Sequence, residues 1–272
     1  MKANDPNILS LMQIKDQHGT IIPWEYNLFP DGQVQFKIKK SYLENQGLSL
    51  EVKASLCNPT ILDLFNQLKF TLPNCSFNIN YYYGARCDKS STDEYIVCNV
   101  AQQHASTEYS TSFLAPHCNK LLESDMYKYY IPDCINLNDY HLIVCPDESA
   151  FERYEEFIEN HNCMICEKER DQDTGKIISH KIPNFSPNFR KVLVIDDLCD
   201  GGNTFMSVAD SMPSETEKHL FIFHGVFSNN ALEKLTEKFD KIFVSNSLPN
   251  YKEQMARIPN FEDKVVVFDV WN

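Results

Sequence analysis

The sequence predicts an α/β protein with doubly wound, mostly parallel sheets, and three observations carry that reading. Short continuous apolar runs recur in the second half: Leu142-Ile143-Val144-Cys145, Val192-Leu193-Val194-Ile195, Leu220-Phe221-Ile222-Phe223, Ile242-Phe243-Val244 and Val265-Val266-Val267-Phe268. Such runs suit parallel strands buried on both faces rather than half-exposed, alternating ones. Helix-length stretches separate them, namely Glu148–Asn160, Thr204–Met212 and Asn230–Phe239. Within Ala231-Leu232-Glu233-Lys234-Leu235 the apolar residues fall at helical spacing. Finally, strand and helix alternate in chain order, which is how parallel sheets are connected.

The first half follows with less regular elements. Gln33-Val34-Gln35-Phe36-Lys37-Ile38-Lys39 alternates polar and apolar residues, as an antiparallel or edge strand does. Asn58–Leu72 reads as a helix with Ile61, Leu62, Leu64, Phe65 and Leu68 on one side, and Phe77–Tyr83 as a further strand. A new strand–helix series starts near residue 138, so two domains are expected, 1–138 and 139–272. No internal repeat or low-complexity segment interrupts them.

A chain of 272 residues admits one large or two ordinary domains. With 43% apolar residues, 23% charged residues and only 8 glycines, it belongs to the folded globular class. Its net charge of -13 repels phosphate backbones and anionic lipid, so neither nucleic acid nor membrane is an expected partner. An anionic substrate would need a local basic or backbone-amide pocket. No stretch approaches the roughly 20 apolar residues of a membrane span. The opening Met1-Lys2-Ala3-Asn4-Asp5-Pro6 has no apolar signal core. Ten cysteines without a secretory signal suggest reduced thiols in a cytoplasmic protein. Cys163 and Cys166 are spaced C-x-x-C, but no second pair or histidine pair follows, so neither a metal nor a redox role is expected there.

The segment richest in chemistry is Val192-Leu193-Val194-Ile195-Asp196-Asp197-Leu198-Cys199-Asp200-Gly201-Gly202-Asn203-Thr204. An apolar strand ends in two carboxylates, turns through a third aspartate and two glycines, and starts a helix at Thr204. Ligands of open α/β sheets bind beyond the carboxyl ends of the strands. Glycines let backbone N–H groups converge on a phosphate, and a helix N-terminus adds a favourable dipole. Asp196 and Asp197 can accept hydrogen bonds from two vicinal sugar hydroxyls. The arrangement describes a pocket for a ribose carrying a 5′-phosphate. Its plain alternative is an acidic turn in which Thr204 merely caps a helix.

This segment resembles the ribose-phosphate loop of the type I phosphoribosyltransferase fold, whose superfamily includes the ribose-phosphate diphosphokinases, or phosphoribosyl pyrophosphate synthetases. Further matches in family order select the synthetase branch over roughly residues 25 to 250. Phe29-Pro30-Asp31-Gly32 is similar to the loop that receives adenine across a subunit boundary. Tyr83-Gly84-Ala85-Arg86-Cys87-Asp88-Lys89 is similar to the Tyr-Ala-Arg-x-Asp nucleotide segment. Cys145-Pro146-Asp147 matches a Ser-Pro-Asp turn, and Glu167-Lys168-Glu169-Arg170 matches the Lys-x-Arg of the catalytic loop. His224-Gly225-Val226-Phe227-Ser228 is similar to a Thr-His-Gly-x-Phe-Ser turn.

The resemblance implies two phosphoribosyltransferase-like domains and transfer of the β,γ-diphosphate of ATP to the C1 hydroxyl of a ribose 5-phosphate moiety, with release of AMP. Phe29, Asp31, Gln33, Arg86, Asp88 and Lys89 would bind ATP. Asp196, Asp197, Asp200, Gly201, Gly202, Asn203 and Thr204 would bind the ribose phosphate. Lys168 and Arg170, two apart on an extended segment, face one way and could clamp the transferred phosphate. The polar stretch Asp171–Lys176 could close over them; in isolation, Glu167–Lys176 also reads as a solvated charged hairpin. Mg²⁺ is the implied metal, with Asp147 and His117 as its residues and His117 also counted as catalytic. His104 competes with His117 for that role. A dimer-based homo-oligomer, with a hexamer as its larger form, is the implied assembly.

Four departures from the family pattern stand out. The phosphate loop reads Asp-Gly-Gly-Asn-Thr where Asp-Thr-Gly-Gly-Thr is common, so a hydroxyl is missing at Gly201 and Asn203 adds an amide. Cys87 stands where glutamine is usual, and Ala115 precedes the Pro116-His117 pair where a carboxylate is usual. The chain is also shorter than common members. A loop with fewer hydroxyl donors could accept a 5′-phosphate that is already esterified, and with the compact, Asn- and Lys-rich sequence it fits the phage-type relatives thought to use ADP-ribose in rebuilding NAD. Two other functions compete: a phosphoribosyltransferase that consumes pyrophosphorylated ribose, and a non-catalytic regulatory homologue. The first should lack the Phe29 and Arg86 segments, and the second should have lost Lys168, Arg170 or the aspartates.

Overall fold

Apolar runs that alternate with amphipathic segments can bury both kinds of surface only by layering helices on sheets, and the chain does so twice. The computed structural model describes residues 4–44, 49–71, 75–82, 111–113, 131–170 and 177–271. Chain contacts divide it into two units, Met1–Tyr127 and Lys128–Val270.

In the first unit α1 (Pro6–Leu9) precedes β1 (Met12–Asp16), and β2 (Trp24–Leu28) pairs antiparallel with β3 (Val34–Ile38). After α2 (Lys40–Glu44) come β4 (Leu50–Leu56), α3 (Pro59–Thr71), β5 (Cys75–Tyr82) and β6 (Thr111–Phe113). The sheet runs β1-β4-β5-β6, parallel except for β1 against β4. The alternation around Phe36 does give a hairpin strand, with Trp24 stacked on Phe36 at 5.5 Å between ring centroids. Helix α3 begins where the Asn58 side chain accepts the Ile61 N–H and Pro59 needs no donor partner. Ile61, Leu64, Phe65 and Leu68 fall one helical turn apart and are buried, each contributing roughly 1.5–3 kcal/mol. Gln67 ties the helix to the hairpin by accepting the Phe36 N–H and donating to the Val34 carbonyl.

The second unit contains β7 (Leu142–Cys145), α4 (Glu148–Ile158), β8 (Cys163–Ile165), β9 (Glu167–Arg170) and β10 (Ile177–Lys181). These are followed by β11 (Lys191–Cys199), α5 (Asn203–Asp210), β12 (Glu217–Gly225), α6 (Ala231–Leu235) and β13 (Lys241–Ser245). Helices α7 (Lys252–Met255) and α8 (Phe261–Lys264) lead to β14 (Val265–Phe268). Six strands form one sheet in the order β14-β13-β12-β11-β7-β8, every pairing parallel. All five apolar runs are strands of this sheet, and β7, for example, is buried throughout. β9 and β10 form a separate antiparallel hairpin.

The strand order reverses between β7 and β11. From β7 the chain steps outward to β8, then returns to the other side of β7 and continues through β11 to β14. That reversal opens a crevice beyond the carboxyl ends of β7 and β11, the usual ligand position in open α/β sheets.

Two sequence expectations need correction. The helix after the glycine turn starts at Asn203, one residue before Thr204, because Gly202 takes the left-handed conformation (φ 75°) and serves as its N-cap. Thr204 therefore lies inside the first turn and does not cap it. The helix expected over 230–239 is only Ala231–Leu235: Asn229 and Asn230 precede it with φ 55° and 59°, and turns follow it.

Candidate active site

The carboxyl end of β11 builds the centre of the crevice. Asp196 and Asp197 stand near the strand's end, and the strand closes at Cys199, whose carbonyl accepts the N–H groups of Val226 and Phe227. The chain then turns through Asp200, Gly201 and Gly202 into α5. A side chain at Gly202 would meet Ala231 and Leu235 at 3.3–3.4 Å while holding a φ that L-residues avoid, so glycine is required there. At Gly201 an added Cβ would meet only Ser228 Oγ, at 3.8 Å. Among the described residues no side chain caps the helix at Gly202, and its leading N–H groups have no intrahelical partner. Asn203 is exposed and Thr204 half-buried. Ser228 Oγ donates to Asp200 Oδ1, tying the His224–Ser228 turn to the loop. In that turn Phe227 adopts φ 50°, and its ring fills the space a Cβ on Gly225 would need.

The acidic pair is held from α4. Arg153 Nη1 lies 3.3 Å from Asp197 Oδ1 and 3.7 Å from Asp196 Oδ1, and its side chain is only 12% exposed. The carboxylate open to a ligand is that of Asp196, 17% exposed against 1% for Asp197. Asp196 also accepts the Asp197 N–H at 2.8 Å. Burial, and then the neighbouring Asp197 charge, push the Asp196 carboxyl well above the ordinary carboxylate range, with Arg153 opposing both. Burial works against the Arg153 charge in turn, but Asp197 and Asp196 outweigh it and raise that group. Tyr154, the next residue of α4, is fully buried and donates to the Asp196 carbonyl at 3.5 Å.

At the neighbouring strand end, Asp147 caps α4 through Oδ1, which accepts the Ala150 N–H at 3.0 Å. Its Oδ2 receives Lys168 Nζ at 2.8 Å. Burial opposes the Asp147 charge, yet the Lys168 and Ala150 bonds prevail and lower its pKa. Lys168 lies on β9, an extended strand as its spacing to Arg170 requires; of Arg170 only the backbone is described. Opposite Lys168 on β10 lies His180, whose N–H donates to Ser207 Oγ at 2.9 Å. Its ring is buried, neither nitrogen has a hydrogen-bond partner among the described residues, and burial followed by the Lys168 charge lowers its pKa.

In the first unit the residues 29–33 are exposed. Phe29 and Gln33 close the hairpin, Gly32 takes φ 89°, and Asp31 accepts the Gln33 N–H at 3.1 Å. The turn is tight, but Phe29 is one of three exposed large apolar residues among those described, not a core residue. Arg86, Asp88, Lys89, His104 and His117 lie outside the described residues. Sequence reasoning missed Arg153 and His180. Arg153 had a usable signal, since it lies six residues after the Asp147 cap, on the helix that follows the crevice strand. Cys163 Sγ lies 3.9 Å from Cys145 Sγ, and the described cysteines are free.

Fold and site together define an open α/β protein: a doubly wound parallel sheet with an acidic pair and a glycine turn at its switch point. No family model matches the chain. It is 26% identical over 110 residues to the ribose-phosphate pyrophosphokinase of Pyrococcus abyssi, covering 40% of this chain and 39% of that one. It is 28% identical over 132 residues to the enzyme of the same name from Sulfurisphaera tokodaii, covering 47% and 42%. A 70-residue stretch, 23% of this chain and 21% of the relative, is 37% identical to the Mycoplasma genitalium ribose-phosphate pyrophosphokinase. The chain thus spans about two fifths or less of the length of these relatives. Among solved structures, phosphoribosylpyrophosphate synthetase from Mycobacterium smegmatis superposes with a TM-score of 0.70 at 16% identity, covering 93% of this chain and 88% of that one. Parts of the chain are thus similar to ribose-phosphate pyrophosphokinases, and it shares the fold of a phosphoribosylpyrophosphate synthetase. No described helix is long and apolar enough to cross a membrane.

Proposed function

We propose that this protein transfers the β,γ-diphosphate of ATP to the C1 hydroxyl of a ribose 5-phosphate moiety and releases AMP. The observation that carries the reading is the joint presence, in one crevice, of a ribose-phosphate turn and the Lys168–Asp147 pair. The 5′-phosphate sits on the Gly201–Gly202 turn and the leading N–H groups of α5, beside Asn203 and Thr204. Asp200, tied to Ser228, fixes the turn. Asp196 accepts a ribose hydroxyl, with Asp197 as the second carboxylate of the pair. Lys168, released from Asp147 by the incoming phosphates, neutralises the charge that builds on the moving diphosphoryl group, and Arg170 assists.

The described donor set suits Mg²⁺ in a limited way. Among the described residues no group of three metal-ligating side chains exists, but Asp147 offers a half-exposed carboxylate. Mg²⁺ needs oxygen ligands, keeps several waters and is commonly held by one or two carboxylates plus substrate phosphates. Asp147, with His117, would hold it, and it would supply positive charge at the phosphoryl oxygens.

The acceptor is ribose 5-phosphate or a 5′-substituted form such as ADP-ribose. The open space at Gly201 supports the second as well as the first. Incubation with ATP, Mg²⁺ and each acceptor, followed by nucleotide analysis and product mass, tests the reading. AMP should form only with an acceptor present, and ADP as the sole nucleotide product would overturn the diphosphoryl transfer. Appearance of AMP with ADP-ribose alone would assign the compact branch that serves NAD.

The exposed Phe29 supports a nucleotide site shared between copies of the chain in a cytoplasmic homo-oligomer. Phe29 stacks on adenine, and Asp31 and Gln33 reach its polar edge. Arg86, Asp88 and Lys89 would hold the phosphates. Mixed oligomers of inactive Phe29→Ala and inactive Lys168→Ala subunits should regain part of the activity. An active monomer, or no recovery despite proven subunit exchange, would place ATP within one chain.

A further inference from the structure

The geometry points to Arg153 as the positioning residue of the ribose site, its guanidinium bridging Asp196 and Asp197 so that the Asp196 carboxylate is held open to the acceptor. The inference rests on the acceptor site proposed above and adds to it a residue outside every motif that suggested that site.

Three observations carry it. One nitrogen, Nη1, lies within 4 Å of a carboxylate oxygen of each aspartate, so a single cation serves both. Successive strand residues ordinarily point to opposite faces, yet these two, adjacent within β11, both lie within reach of one nitrogen. Arg153 is also nearly buried and Asp197 almost wholly so, which makes the contact desolvated and unlike a surface ion pair. Finally, α4 is anchored at both ends of this contact: Asp147 caps it at the end of β7, and Tyr154 donates to the Asp196 carbonyl. The guanidinium is therefore fixed by the helix rather than free to follow a ligand.

None of the other described ionisable groups at the site replaces it. Asp147 is engaged by Lys168, Asp200 accepts from Ser228, and Tyr154, Cys145 and Cys199 carry no positive charge. Without Arg153, two buried carboxylates would face each other, and the cheaper outcomes are protonation of one or rotation of Asp196 away from the acceptor.

The test compares wild type, Arg153→Met, Arg153→Lys, Asp197→Asn and the Arg153→Met/Asp197→Asn double variant in steady-state kinetics and thermal unfolding. Arg153→Met should raise the acceptor KM by about 10- to 100-fold, the loss expected for one charge-assisted contact, while the ATP KM and kcat move far less. Arg153→Lys should retain an intermediate acceptor KM. The double variant should recover part of both the acceptor KM and the melting temperature, because neutralising Asp197 removes the repulsion that Arg153 offsets. A packing role alone would leave the double variant no better than Arg153→Met, and that result overturns the inference. So does an unchanged acceptor KM in a folded Arg153→Met protein. If Arg153→Met fails to fold, the Arg153→Lys acceptor KM decides, and a value equal to wild type overturns it. A wild-type protein that makes no AMP with any ribose phosphate instead removes the underlying function, while the substrate-free melting comparison still reports whether Arg153 offsets the pair.

Discussion

The two ends of the six-stranded sheet carry ionic clusters of opposite design. At the amino ends of the strands, Tyr140, Lys191, Glu217 and His219 close on one another. Tyr140 Oη meets His219 Nδ1 at 2.8 Å, His219 Nε2 meets Glu217 at 2.9 Å, and Lys191 reaches Glu217 at 3.2 Å while lying over the Tyr140 ring. At the carboxyl ends, Asp147, Asp196, Asp197 and Asp200 meet just two described cations, Arg153 and Lys168. One end is balanced and stabilises the fold. Among the described residues the other end carries more carboxylates than cations, beside a helix terminus without a side-chain cap, an arrangement that suits the ribose phosphate proposed above.

The strongest way to break this contrast is at Lys168. Lys168→Ala should lower turnover by about 10²–10³, the usual effect of removing one electrostatic stabiliser of a transition state, with little change in acceptor affinity. The protein should stay folded, because the ion pair with Asp147 is partly exposed. Near-wild-type turnover in a stopped AMP assay would remove Lys168 from the chemistry.

Asp196→Asn comes next and should separate function from stability. Losing a charged acceptor should weaken acceptor use by ~1.5–3 kcal/mol, read as acceptor KM. The same change should hold or raise the melting temperature at neutral pH. Asp196 titrates above its unfolded value, so its stability contribution is present below about pH 3.9 and lost as pH rises through the folded pKa. A clear fall in melting temperature at neutral pH would mean that the carboxyl-end charges are structural after all.

At the amino ends the smallest effects are expected, with opposite sign. Tyr140→Phe should cost about 0.5–1.5 kcal/mol of stability and leave AMP formation untouched. Burial, and then Lys191, lower the pKa of His219, so its contribution is present above the unfolded value near 6.5 and lost as pH falls through the folded one. A melting curve followed from pH 7.5 to 5 should decline, less steeply in His219→Gln. Identical slopes would show that the cluster is not a source of the pH dependence.

Much of this contrast was legible in the chain itself. The apolar runs announced five strands, among them the three (β7, β11 and β12) whose ends carry the two clusters, since a strand buried on two faces has few polar residues to spare. The order Asp196-Asp197 then Asp200-Gly201-Gly202 announced the turn, because local backbone demands select aspartate and glycine by type. Helix limits were harder to read: Gly202 and Asn230 adopt left-handed conformations that displace the starts of α5 and α6.

What the sequence determined by itself was therefore local: which segments are strands, where a phosphate-type turn lies, and that Lys168 and Arg170 share an extended segment. Only the tertiary structure decided which charges meet. It brought Lys168 to Asp147, 21 residues away, set His180 opposite Lys168, and placed Arg153 between two aspartates more than forty residues further along. The physical reason is one of range. Backbone propensity and hydrophobic period act over a few residues, whereas an ion pair forms wherever packing of distant elements brings its partners within about 4 Å and removes competing water.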